Sequence, residues 1–271
     1  MVFDKNLAVG LTAGIAVGLG ATLTLAEGLE RANLDVGFMF NEGTVAEFGM
    51  GQVTPSLPAT QADFGLDSDS VAKSFTVSTF STKMDIDDSI SAGIWYTSNG
   101  NGVSLDYGTL TAPVTGDTGT IAADLNMPSL AALVTYDLND NFSLIGGFKR
   151  VTVPGGASVK TFNNTDNDNT LGADTGIGGD EDLPDATSTW TLSDTSAAGA
   201  VYGLSYARSE IALRVTMLVE SAIGLSIDTT GTGGVAASGT STASVGDAVS
   251  FAFQTGIAAN TLLYGNYRIS K

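Results

Sequence analysis

The chain has no histidine and no cysteine in 271 residues. Without imidazole there is no Ser-His-Asp triad, no histidine general base and no histidine-ligated zinc; without thiol there is no thiolate nucleophile and no cysteine-ligated metal. The lack of cysteine also suits a protein exported through an oxidising compartment, where stray thiols would mispair. Positive charge is scarce, with 11 Lys and Arg against 29 Asp and Glu and a net charge of -18. Phosphate backbones would be repelled by such a surface, so nucleic acid is excluded as a partner. Charged residues make up only 15% of the chain, where about a quarter is usual for a soluble domain. A broad part of this surface is therefore built to face something other than water.

The chemistry left after these exclusions is carboxylate chemistry. Asp180, Glu181 and Asp182, and the pair Asp166 and Asp168, could in principle do acid/base work. They sit in polar stretches with nothing to bury them or drive their pKa values apart, so they read as solvated loop acids. The run from Asn163 through Asp166 and Asp168 to Asn169 is dense in oxygen ligands of the kind calcium selects. It misses the EF-hand pattern, because Gly172 falls one position late and the twelfth place holds no Glu. The expectation is a non-enzyme with no cofactor and no assigned metal site.

Long apolar runs are also missing, with one exception at the start. Lys5 precedes an Ala, Gly and Leu-rich stretch over 7–26 that ends Thr24-Leu25-Ala26, a small-x-small cleavage signal. Residues 1–26 are read as a signal peptide.

What the chain does contain is alternation. Over 211–225 the odd positions Ile211, Leu213, Val215, Met217, Val219, Ile223 and Leu225 are apolar, while Arg214, Thr216 and Glu220 lie between them. Successive side chains of a strand point to opposite faces, so this segment has one apolar face and one polar face. Eight further segments read as strands: 44–53, 75–84, 89–96, 130–136, 142–153, 200–206, 249–254 and 261–271. Tight turns at 85–88, 138–140, 207–210 and 258–260 alternate with long loops at 98–128, 155–189 and 229–247. Short turns on one side and long loops on the other are the mark of an antiparallel up-and-down transmembrane β-barrel, with the short turns in the periplasm. The predicted class is all-β, with the barrel over 44–271.

Basic residues inside strands sharpen the reading. A cationic group facing lipid at mid-bilayer costs roughly 2–4 kcal/mol, so Arg214 is expected to point inward. Glu220 shares its face but lies six residues along the strand, too far for a direct pair, so each is expected to find a partner on a neighbouring strand. Lys149 and Arg150 are adjacent, and a regular strand would turn one of them inward.

Particular stretches resemble a known family. Gly28-Leu29-Glu30-Arg31, the run from Phe40 to Phe48, Leu138-Asn139-Asp140-Asn141-Phe142-Ser143, the run from Glu210 to Val215, and Phe253-Gln254-Thr255-Gly256-Ile257-Ala258 are similar, in order, to segments of OMPP1/FadL/TodX outer-membrane long-chain fatty acid transporters, in their alphaproteobacterial-type branch. The resemblance implies a fourteen-stranded barrel plugged by an N-terminal hatch, here 27–43 and without the family's Asn-Pro-Ala motif. It implies passive transport of long-chain fatty acids or other hydrophobic molecules across the outer membrane of a Gram-negative bacterium. The partners implied are that ligand, outer-membrane lipid and lipopolysaccharide, and the barrel assembly machinery with its periplasmic chaperones. The resemblance puts a carboxylate-binding basic residue near Lys149 or Arg150, after Phe148; Arg214, read from its inward position alone, is either structural wiring of the lumen or a ligand contact. Nine strands and a terminus without an aromatic residue also imply a C-terminally truncated barrel. A general porin, and a secreted or surface acidic β protein of adhesin or S-layer type, are the alternatives.

Overall fold

The computed structural model describes residues 31–61, 66–68, 70–106, 122–163, 186–232, 238–258 and 261–270. The predicted signal peptide, residues 27–30 of the predicted hatch, the carboxylates at 166, 168 and 180–182, Gly172 and the turn residues 259–260 lie outside the described residues, as does the oxygen-rich run beyond Asn163.

The strands are β1 Val45–Val53, β2 Ala59–Gln61, β3 Leu66–Ser68, β4 Phe75–Asp85, β5 Ile90–Asp106, β6 Ala122–Asp137, β7 Phe142–Val153 and β8 Ser158–Asn163. They continue with β9 Ala186–Leu192, β10 Thr195–Arg208, β11 Leu213–Glu220, β12 Ile223–Thr232, β13 Gly239–Val245, β14 Ala248–Ala258 and β15 Thr261–Ser270. Thirteen of them form one sheet, in which every pairing is antiparallel. Its main path is the meander β1-β4-β5-β6-β7-β10-β11-β14-β15. Eight of the nine predicted segments fall on strands of this path; the ninth, 211–225, begins in the turn before β11 and runs past the end of β11 into β12. Gly37–Phe40 form a 3-10 turn.

Alternation along the path sorts side chains into two faces. Phe48, Met50, Phe80, Ile94, Tyr96, Leu130, Val134, Leu144, Phe148, Tyr202, Leu204, Val215, Met217, Phe251 and Phe253 all point outward, with Phe48 and Met50 72% and 73% exposed. A continuous apolar band over eight adjacent strands is far larger than a water-facing surface tolerates, and it matches the lipid-facing band of a membrane barrel. Among the described residues no helix is long and apolar enough to cross a membrane.

The structure corrects the sequence reading in three places. The long loops are shorter than predicted: β5 runs on to Asp106, β6 starts at Ala122, β8 and β9 occupy both ends of 155–189, and β12 and β13 both ends of 229–247. The extensions of β5, β8, β9, β12 and β13 are rich in Ser, Thr and Gly and show little two-face contrast, so periodicity does not reveal them; that of β6 does alternate, Ala123, Leu125 and Met127 against Asp124 and Asn126. The turn expected at 207–210 moves to a 3-10 turn at Ser209–Ile211, closed by Ala212 in the left-handed region at φ 48°.

The third correction concerns the stripe over 211–225. Leu218 and Glu220 are buried at even positions, then Ile223, Leu225 and Ile227 at odd ones. Ser221 and Ala222 insert one extra residue between the faces, as a β-bulge does, and the apolar stripe passes from the outside to the inside. The same one-residue change separates Leu192 from the inward positions of β10, across Ser193 and Asp194, and Val245 from Ala248, across Gly246 and Asp247. These breaks bend the sheet, and Ile223, Leu225, Ile227 and Val245 pack with Leu125, Met127, Val151 and Val153 of β6 and β7 in one buried core.

Candidate functional site

The interior below that core is filled by the chain's own N-terminal segment. Arg31 and Ala32 donate their backbone N–H groups to the Gly100 carbonyl at 2.8 and 3.0 Å. This point of β5 is open because two extra residues lie between the pairs Thr97–Ser129 and Asn101–Met127. From there the segment descends: Leu34, Val36, Phe38 and Met39 are buried against Trp95, Ala131, Leu133, Ile145, Val201 and Leu218. Its apolar residues at 34 and 36, then 38 and 39 in the 3-10 turn, put enough oily surface on one side to seat it; each such burial contributes about 1.5–3 kcal/mol. Gly93 makes the seat. A Cβ there would overlap Met39 Sδ and stand 2.7 Å from Phe38 Cε2.

Polar contacts pin both ends of this plug. At the upper end the Arg31 guanidinium lies over the Phe75 ring, 4.1 Å from its centroid, and donates to Asn99 Oδ1 at 2.5 Å, Asn126 Oδ1 at 2.8 Å and Ser104 Oγ at 3.2 Å. At the lower end Lys83 Nζ donates to the Asn41 carbonyl at 2.6 Å and pairs with Asp85. Asn41 Nδ2 donates to Glu47 Oε1 at 2.8 Å, joining the plug to β1. The Arg214 guanidinium covers the Phe40 ring at 4.4 Å.

The sequence-predicted site residues are dispersed. Lys149 and Glu220 meet on the inner face at 2.8 Å, buried between the plug's apolar cluster and the upper core. Arg150 is on the outer face, where it donates to Ser196 Oγ at 2.6 Å. Arg214 is half-buried at the foot of the plug, six residues along the chain from Glu220. The structure therefore does not gather Lys149, Arg150 and Arg214 around one point.

A cavity of about 230 Å³ lies between the plug and strands β1, β4 and β5. Phe38 and Trp95, with Ser81, are its buried floor; Asn33, Asp35, Glu47 and Thr79 add polar groups. Glu47 Oε2 accepts from Ser81 Oγ at 3.4 Å, and Asp35 Oδ1 accepts from the Gly37 N–H at 2.8 Å. Sequence reasoning did not mark Arg31, Lys83, Asp35 or Glu47 as site residues. The one local signal was the break in alternation at Asn99-Gly100-Asn101, where polar residues and glycine interrupt a strand.

No protein-family model matches the chain, and no curated protein matches it in sequence. Solved structures do match its fold. The structure described as "TodX deltaS2S3 mutant monoaromatic hydrocarbon channel" superimposes with a TM-score of 0.54 at 12% identity, covering 85% of this chain and 62% of that one. A FadL homologue from Pseudomonas aeruginosa superimposes with a TM-score of 0.51 at 11% identity, covering 84% of this chain and 59% of that one. The chain thus spans less than two thirds of the length of these structures. Its strand-rich, mostly antiparallel fold resembles that of these TodX and FadL-homologue structures.

Proposed function

We propose that this chain forms the wall and internal plug of an outer-membrane channel that carries hydrophobic small molecules passively, in a Gram-negative bacterium. The observation that carries the reading is the combination of an apolar outer band with an interior filled by an apolar plug segment in place of a water-filled lumen. A general porin needs a polar, wetted interior. The fold shared with FadL/TodX-type channels supports the same reading. Long-chain fatty acids are the cargo implied by the sequence resemblance, and the TodX structure is of a monoaromatic hydrocarbon channel.

Of the three basic residues raised by the sequence, Arg214 is our candidate contact for an anionic head group, because Lys149 is paired with Glu220 and Arg150 faces outward. Outer-membrane lipid and lipopolysaccharide are the surrounding partners, and the barrel assembly machinery and periplasmic chaperones are the route of insertion. No chemical step is assigned to the chain.

The test is uptake. Expressed in a host lacking its own outer-membrane fatty acid channel, the protein is expected to restore entry of labelled oleate or toluene, and proteoliposomes containing it are expected to exclude small sugars. Free passage of sugars without hydrophobic uptake would replace the reading with a general porin. Recovery of the folded protein in buffer without detergent would favour a secreted acidic surface protein.

A further inference from the structure

Arg150 is exposed on the outer, lipid-facing side of the sheet, where a cation is costly at mid-bilayer and nearly free of cost at an interface. Its level can be counted from the opposite border. Phe142, at the periplasmic end of β7, packs against Tyr206 of β10 with ring centroids 5.0 Å apart, and Tyr136 is exposed on the neighbouring strand β6. Aromatic girdles of this kind mark the border between membrane and water. Arg150 is eight residues further along β7. At about 3.4 Å per residue and a tilt of about 40°, that is a rise of about 21 Å within an apolar band about 25 Å tall. Arg150 therefore lies at the outer border of the band.

The side chain also leans the right way. Arg150 stands opposite Ala198 in the ladder, but its guanidinium donates to Ser196 Oγ at 2.6 Å, and Ser196 stands opposite Thr152, two residues nearer the extracellular end. The charged head thus points toward the head groups and away from the acyl chains, as a cation at a membrane border does. Below it, Ala198 and Ala200 are small and exposed on β10, and Phe148 and Tyr202 are bulky and exposed beside and beneath them. The result is a shallow groove that runs down the outer face from the Arg150 head.

Resting on the channel reading, we infer that Arg150 and Ser196 hold a phosphate of outer-leaflet lipopolysaccharide, with an acyl chain of the same lipid laid along Ala198 and Ala200 beside Phe148. The planar guanidinium matches two phosphate oxygens at once, and the Ser196 hydroxyl, which accepts from Arg150, keeps its own hydrogen to donate. The site fixes the height of the wall in the membrane. It lies on the opposite face from Lys149 and the plug, so it stays clear of the interior.

The test is a lipid titration of the protein in detergent micelles, read by native mass spectrometry, with diphosphoryl lipid A and its dephosphorylated form as probes. The unsubstituted protein is expected to retain diphosphoryl lipid A about tenfold or more tighter than the dephosphorylated form. Arg150→Gln, with folding checked by heat-dependent gel mobility, is expected to bring the two lipids to the same weak affinity. Ala200→Phe, which fills the groove, is expected to weaken both. Excess inorganic phosphate is expected to leave bound lipid A in place. Equal retention of the two lipids by the unsubstituted protein, an unaltered preference in folded Arg150→Gln, or displacement of lipid A by inorganic phosphate would overturn the inference. If the unsubstituted protein still carries oleate or toluene in that case, the lipid site alone fails. A phosphate-dependent lipid preference without any transport would keep the site and remove the channel reading.

Discussion

Lys149 reaches across the inner face of β10 to Glu220, with Nζ 2.8 Å from Oε2. Lys149 stands opposite Gly199 in the ladder, and Glu220 stands opposite Val201 on the far side of β10. A side chain at 199 would press on Ser221 Oγ and Ile223 Cγ1, the residues at the bend of the next strand. The pair therefore ties β7 to β11 over an intervening strand, at the level where the plug's cluster ends and the upper core begins.

Because both partners are buried, at 1% and 4% exposure, removing one leaves the other as an uncompensated charge. Lys149→Met is expected to destabilise the fold by about 3–5 kcal/mol, and Lys149→Met with Glu220→Leu to recover most of that loss. Urea unfolding in micelles, followed by heat-dependent gel mobility, measures both. A double variant no more stable than the single one would show that the pair is not a self-contained unit.

Arg31 is the upper anchor of the plug, and its side chain makes three hydrogen bonds and one ring contact. Charge-assisted hydrogen bonds contribute about 1.5–3 kcal/mol each when fully formed, less where they are partly exposed. Arg31→Ala is expected to raise hydrogen exchange over 31–41 and to increase single-channel conductance, with the exchange of β6 and β7 unchanged. Unaltered exchange over 31–41 would mean that the apolar contacts alone hold the plug.

Gly93 tests the seat from the wall side. Gly93→Val puts methyl groups where Met39 and Phe38 now lie and near the Thr82 carbonyl, so the plug must shift. Protease cleavage within 31–43 is expected to accelerate several-fold, while Gly146→Val, at a position with open space around it, leaves cleavage unchanged.

The β4–β5 turn should respond to acid. The Asp87 carboxyl is held below its ordinary value of 3.8, chiefly by the Ser89 backbone N–H and then by the Ser89 hydroxyl and the Ile90 N–H. A carboxyl lowered in the folded state contributes stability that is present above its unfolded value and is lost as pH falls through the folded one. Amide exchange at Ser89 and Ile90 is therefore expected to speed up as pH drops below about 3.8 relative to the turn's behaviour at neutral pH, after correction for intrinsic rates. Asp87→Ala should show fast exchange there at every pH.

How much of this was legible in the chain differs by element. The outward stripe of Val215 and Met217, the inward Arg214, and the opposite faces of Lys149 and Arg150 follow from a period of two and the cost of charge in lipid. Those are local properties, and the sequence by itself determined them. The turn at 138–141 is of the same kind, since Asn139 Oδ1 accepts the Asn141 and Phe142 N–H groups within four residues.

Only the tertiary structure decided the rest. One inserted residue at Ser221 and Ala222 reverses every later side chain of that strand, and no local propensity marks it, because Ile223 and Leu225 are as suited to the outer face as to the inner one. The partner of Glu220 is 71 residues away, chosen by which strands flank β10. The cavity over Trp95 exists because residues 31–41 enter the interior and pack there. Contacts of such sequence separation arise from the register of a whole sheet and the volume it encloses, which no single stretch of chain encodes.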